Sequence, residues 1–410
     1  SKPINLAGLT KEDSVVFSFW WQKGSVSDVL GPELEEGDSL SLFFLDEDSI
    51  WVKVWPIGIS KTNVINAVIG SAFQSDSVNL VSNEFLHGGF QFMFTSHGTL
   101  TGNFDVWNIN HLYLDSKRAD EYVNDYSFGG PLTSLLKNYR AMPYEQFIEG
   151  IENELSDDVM GTFYNSNNIN TIILDSFFIV RDTVSAIEIE RVKTNFNPNF
   201  DGGIIINPLS SFEAVYVPDK LGITKAILDI DAEDQFIVLE TSMSAYKSDL
   251  IDTNNTQSTF NVLDNYYAYD DGTAEVGFGI VGTGGFACKF ELVKGSTLKS
   301  LDLHFVRSGV DNDYSTINLK VWKSIKGVDG ATTTEVLVTT RVSVILDDFE
   351  LNKFYNYEFS TPIELDAGVF YVGWEQVNIA SRYVIGFDLS RNNIDKIYTF
   401  KNSAWGQDFT

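Results

Sequence analysis

The chain has 410 residues, 43% hydrophobic and 21% charged, with a formal net charge of −29. That balance excludes a disordered chain, and the length exceeds what one hydrophobic core commonly serves, so two or three domains are expected. So acidic a surface repels phosphate backbones and anionic lipid, which excludes nucleic acid as a partner, and no run of about 18 apolar residues offers direct membrane insertion as a helix.

Aromatic residues make up 14%, including 31 Phe and 17 Tyr, side chains that fit pleated surfaces and predict an all-β protein. The chain does not begin with methionine, and loss of an N-terminal piece is expected.

Residues 1–118 read as an N-terminal jelly-roll-like β-sandwich. "SVVFSFWWQ" (14–22), "DSLSLFFLD" (38–46), "IWVKVWPI" (50–57), "GGFQFMFTSHG" (88–98) and "DVWNINHLYLD" (105–115) are short and apolar, and several alternate with period two. Turn chemistry separates them in "GPELEEGD", "LDEDS" and "HGTLTGNFD". Strands at this spacing without helical interludes indicate a sandwich or jelly roll.

Residues 119–160 read as a partly helical linker. Leu132, Leu135, Leu136 and Tyr139, then Phe147, Ile148 and Ile151, recur at helical spacing, and Pro143 is expected to open the second of two short helices. Residues 161–262 return to short strands at the density of an immunoglobulin-like β-sandwich, without the Cys pair or the Trp of antibody domains. Residues 263–410 form a C-terminal β-sandwich with strands in "SLDLHFVRSG", "TINLKVWKSI", "EVLVTTRVSVIL", "NKFYNYEFSTPIEL" and "GVFYVGWEQV". The final "TFKNSAWGQDFT" contains no recognisable turn, and a further strand is expected to follow it. The predicted fold class is therefore tandem β-sandwich domains, jelly-roll and immunoglobulin-like, with a short helical linker.

Chemical motifs are few. "DDGTAEVGFGIVGTGGFACKF" (270–290) is rich in glycine, but no Lys-Ser/Thr follows and the next element is a strand, which excludes a P-loop and a dinucleotide fingerprint. Asp270, Asp271 and Glu275 offer the hard oxygen ligands that calcium takes, without EF-hand spacing. The plainer reading is an Asp-Asp-Gly turn whose carboxylates bond nearby amides while Gly272 takes positive φ.

His87, His97, His111 and His304 are scattered without ligand spacing, and each is expected to be a strand or turn residue. Cys288, the single cysteine, lies in an apolar alternation and reads as a small hydrophobe. No G-x-S-x-G occurs, and 57 acidic residues make any one carboxylate pair uninformative, so no catalytic residue is assigned. Adjacent Trp20 and Trp21 must point to opposite faces of their strand. Trp20, Trp21 and Trp55 are the candidate interaction residues, facing a neighbouring domain, a partner protein or a glycan.

Several of these stretches together carry a resemblance. "VFSFWWQKG", "EEGDSLSLFFLDEDSIWVKVW", "GGFQFMFTSHGTLTGNFDVWNINHLYLD", "LLKNYRAMPYEQF", "NYYAYDDGTAEVGFGI", "GVFYVGWEQ" and "VIGFDLSRNN" span nearly the whole chain. In combination they resemble the multi-domain β-sandwich envelope and secreted proteins of bacteria with a type IX secretion system. The resemblance implies no catalytic residue and no cofactor. It implies the periplasm or cell envelope as the location, with the cell surface or secretion as the alternative, and an outer-membrane translocon barrel protein as the partner. Members commonly carry a C-terminal sorting domain; none is seen here, which favours a periplasmic resident over an exported cargo.

Overall fold

In the computed structural model the described residues are 1–23, 37–58, 73–98, 107–118, 122–173, 176–194, 204–230, 236–245, 249–280, 282–306, 316–328, 336–345, 353–376 and 384–407. They form two compact units, Ser1–Val123 and Asn124–Thr410, and the architecture is all-β in several sandwiches. Most of the turn runs expected at 31–38 and 97–105 lies outside the described residues.

The first unit closes one core between two three-stranded antiparallel sheets. One has the order Gln74–Asn79, Val16–Lys23, Trp107–Asp115; the other has Trp51–Gly58, Ser39–Leu45, Phe92–His97. Alternation along Val16–Lys23 turns Phe17, Phe19 and Trp21 inward against Leu40, Leu42, Phe44 and Phe90. The rings meet edge-on, Phe17 with Phe44 at 5.6 Å and Phe19 with Phe94 at 5.1 Å, the geometry an aromatic quadrupole favours. A register shift between Ser18 and Trp20 faces His111, which takes φ 49° as a bulge residue. Strand Gln74–Asn79 escapes sequence reading because "QSDSVN" carries one apolar residue; as an edge strand it needs backbone pairing more than burial.

The second unit begins with a different kind of core. A five-stranded sheet runs Glu188–Thr194, Ser176–Asp182, Ile237–Ala245, Thr256–Asp264, Ala141–Pro143, the last pairing being parallel. A three-stranded sheet, Ser210–Tyr216, Val159–Asn165, Tyr126–Phe128, lines the same core. Helix α1 (Tyr144–Glu154) follows Pro143, which stands at the cap position, where its fixed φ fits and no amide is needed.

The helix expected over Leu132–Tyr139 is absent. Those residues run as irregular chain, and Leu132, Leu135, Leu136 and Tyr139 are all buried in the core between the sheets. Helical spacing there reflects burial on one side of an irregular path whose amides find scattered backbone carbonyls, Thr133 bonding Met160 and Lys137 bonding Glu154, and at Leu135 the Asn261 side chain.

Residues 225–228, expected to begin the strand run "KAILDIDAEDQFIVLETSMS", belong instead to helix α2 (Lys220–Leu228). Asp219 caps it by accepting the Gly222 amide at 3.1 Å, and Ile223 and Ile227, one turn apart, enter the core. Its β-branched residues mimic a strand locally, and the cap outweighs them.

The C-terminal sandwich of this unit packs a four-stranded sheet (Val276–Gly279, Val384–Phe387, Ser296–Phe305, Lys353–Leu365) on a six-stranded one (Val336–Ile345, Thr316–Ser324, Gly368–Gln376, Gly284–Leu292, Ile397–Lys401, Ala404–Gly406). The six-stranded sheet also buries Trp322, Tyr371 and Ala287 in a second small cluster with Ile325, Val328 and Tyr398. The last two strands form a hairpin through Asn402 and Ser403, with φ of 51° and 65°, as a type I′ turn requires. The closing residues therefore do contain a turn. The dipeptide Asn-Ser lacks the glycine that makes such turns readable.

Candidate functional site

The glycine-rich stretch resolves into a loop laced to its neighbour by carboxylates. Asp270 accepts the Gly272 amide at 3.1 Å, and Asp271 accepts the Thr273 amide at 3.0 Å and its hydroxyl at 2.6 Å. Gly272 takes φ +95°. Glu275 accepts the Leu389 amide at 2.8 Å, and Asp388 accepts the amides of Asp271 at 2.8 Å and Ser390 at 2.5 Å. The loops at 270–275 and 388–390 are thus tied by acids holding backbone N–H groups, as the turn reading expects. Among the described residues no group of three or more His, Cys, Asp or Glu side chains is placed to hold a metal ion. Asp270, Asp271 and Glu275 serve the backbone, so the calcium reading gains no ligand set. Burial pushes the Asp270 and Asp388 carboxyls above the usual range.

Beneath this loop lies His304, on the face of the four-stranded sheet turned away from its core. The ring meets Phe354 edge-on at 5.0 Å, and Gly386 packs so closely that a Cβ there would stand 2.5 Å from Nδ1. Glycine at 386 is what lets the imidazole sink. His304 is 8% exposed, and its Nδ1 lacks a hydrogen-bond partner. Asp270 feels the imidazole electrostatically. Nothing in the sequence around His304 signals this placement; the strand pairing of His304 with Phe354 creates it.

A second feature is the seam between the two sandwiches of this unit. Tyr139 contacts Tyr267 at 4.7 Å and Tyr269 at 4.9 Å, and Phe290 closes the group at 5.0 Å from Tyr269. The phenols are anchored as well: Tyr269 donates to the Lys289 carbonyl at 2.6 Å, and Tyr139 accepts the Glu291 amide at 3.1 Å. Burial raises the Tyr139 phenol to about 12. Gln146 of α1, 1% exposed, accepts the amides of Val293 and Lys294 at 2.9 and 3.1 Å and donates to the Lys294 carbonyl at 2.9 Å. Arg391 donates to the carbonyls of Leu136 and Lys137. Ala141 bridges both ways, pairing with the strand at Val262 and with Ala268. The two sandwiches are thereby joined by backbone pairing, aromatic packing and buried amides together.

The remaining candidates fall inside or near cores. Trp21 is buried and donates Nε1–H to Asp76 at 2.8 Å, and Trp55 packs against Phe19 and Trp21 at 5.0 and 5.7 Å. Neither is a free interaction ring. Trp20 is half-buried on the opposite side of its strand, as the alternation requires. Cys288 is half-buried in the six-stranded sheet, and desolvation raises its thiol to about 12, which suits packing and not nucleophilic attack. His87 lies in a turn, its Nδ1 accepting the Gly89 amide at 3.2 Å.

No protein-family model matches this chain, and no curated protein does. Among solved structures it is similar to the isomalto-dextranase of Arthrobacter globiformis T6 complexed with panose, at 10% identity, 56% coverage of this chain and a TM-score of 0.18. The chain spans 34% of that protein's length. It is also similar to the N-terminal CBM22-1–CBM22-2 tandem domain of Paenibacillus barcinonensis Xyn10C, at 8% identity, 92% and 79% coverage and a TM-score of 0.16. Likenesses at these scores say nothing of function.

Proposed function

We propose that this chain is a non-enzymatic, protein-binding component of the bacterial cell envelope, associated with the type IX secretion translocon. In this reading it plugs the periplasmic end of the outer-membrane barrel when no substrate is bound. The observation that carries the reading is the seam. A wide aqueous pore is sealed by a stiff preformed body offering broad contact, and Gln146, the Tyr139–Tyr267–Tyr269–Phe290 cluster and Arg391 give two sandwiches that stiffness. The sequence resemblance supplies the system, and the net charge of −29 would steer the chain towards a basic rim.

Carbohydrate binding or adhesion is the alternative. It draws less support, because Trp21, Trp322 and Trp374 are buried and Trp55 and Trp107 pack on the first core. The test is affinity purification of the tagged chain from detergent-solubilised native membranes. Co-purification of the translocon barrel is expected; its repeated absence, with the bait intact, overturns the proposal.

A further inference from the structure

The core face of the five-stranded sheet carries a polar layer around one buried cation. Arg140, 8% exposed, ends the irregular segment, and its Nη1 donates to Thr259 Oγ1 at 2.5 Å. A guanidinium has several N–H donors; that bond is the one its side chain makes among the described residues, and the buried Nε lacks a partner. No acid among the described residues pairs with it: Glu240, beside Thr241 in sequence, lies on the opposite face and is held by Arg181. Thr241 stands directly across from Thr259 in the strand register and, like its neighbours Leu239 and Met243, faces the core. It is 0% exposed, and its Oγ1 has no partner. Same-face neighbours across an antiparallel pair stand about 5 Å apart at Cβ, so the Thr241 hydroxyl lies within a side chain's reach of the group that Arg140 grips. Ser134 and Asn261 continue the layer, bonded to each other at 2.8 Å. A buried guanidinium held by one neutral hydroxyl is unfavourable unless an opposite charge joins it.

We propose that Arg140, with the hydroxyls of Thr241 and Thr259, holds a monovalent halide ion, chloride in ordinary surroundings, between the sheet and the irregular segment. One unpaired positive charge is balanced by one negative charge. A hydroxyl that is 0% exposed is reached only by a small ion, which excludes a phosphate or carboxylate carried on a larger molecule. Thr259 Oγ1 accepts from Arg140, which leaves its own hydrogen, like that of Thr241, to donate to the anion. The site is independent of the translocon reading.

The test is thermal melting of the full chain, dialysed free of halide, in sodium chloride, sodium bromide or sodium gluconate at equal ionic strength. The melting temperature should stand about 2 °C or more higher in either halide than in gluconate, because an ion held by the folded state alone stabilises it. Arg140→Met, which keeps length and removes charge, should abolish that difference. Thr241→Val should raise the halide concentration needed for half of the shift about fivefold, the scale of one hydrogen bond. Lys225→Gln, an exposed change on α2, should leave the shift as in wild type. Wild-type crystals grown with bromide give a readout that needs no variant: an anomalous peak is expected beside Arg140. Equal melting in halide and gluconate, a halide shift retained in Arg140→Met, or density beside Arg140 without anomalous signal, a water only, would each overturn the proposal.

Discussion

The first unit and the front half of the second solve the same problem with different materials. In the first, strand alternation alone delivers Phe17, Phe19, Trp21, Leu42 and Phe44 to the core, and the backbone is satisfied by its ladders. In the second, irregular chain at 132–140 enters the core, and buried amide side chains supplement isolated backbone bonds such as Thr133 to Met160 and Lys137 to Glu154. Asn261, fully buried, accepts the Leu135 amide at 3.2 Å and donates to Ser134 Oγ and to the carbonyls of Tyr139 and Arg140 at 2.8, 3.3 and 3.2 Å. Asn165, also fully buried, donates to the carbonyls of Ile169, Ile206 and Asn207 and accepts the Asn167 amide. The lesson is that irregular chain enters a core where isolated backbone bonds and buried polar side chains together replace the missing ladder.

Substitutions can break this contrast. Phe44→Ala in the first unit should cost about 3–5 kcal/mol in urea unfolding, as a ring lost from a regular core leaves a cavity. Asn261→Leu should cost about 3 kcal/mol despite adding apolar surface, because buried backbone groups lose their partner. A neutral outcome would show that the irregular segment does not depend on it.

Gln146→Met should cost about 2 kcal/mol by the same logic at the seam, and limited proteolysis should then cut near Val293 before the strands. Tyr269→Phe removes one hydrogen bond and should cost about 1 kcal/mol.

The smallest effect concerns pH. Burial raises the carboxyls of Asp270, Asp388, Asp249, Glu154 and Glu190. A raised folded value means the native state takes up protons first as pH falls, so their contribution is full below the unfolded value near 4 and lost as pH rises through the folded one. Thermal melting should therefore move upward as pH falls through the raised folded values of these carboxyls towards about 4, and Asp388→Asn should flatten that rise. Asp182, held below the ordinary range by Ser185, Val184 and Val238 hydrogen bonds that outweigh its burial, acts in the opposite sense at lower pH.

Legibility followed the same division. "SVVFSFWWQ", "DSLSLFFLD" and "IWVKVWPI" map onto strands within a few residues, since period two and one buried face leave little choice. The Asp-Asp-Gly turn was readable too, because its carboxylates bond their own neighbours. Leu132–Tyr139 was misread, since its partner Asn261 lies more than a hundred residues away. The sheet face bearing His304 and Phe354 was not readable at all.

By itself, the amino-acid sequence determined the all-β class, the acidic surface and the local turns, because these rest on composition, periodicity and contacts between near neighbours. Tertiary structure alone decided which polar side chains were buried to hold irregular backbone, and that His304 and Phe354 would meet. Strand register sets those neighbours, and register is a property of pairing between distant segments that no single stretch encodes.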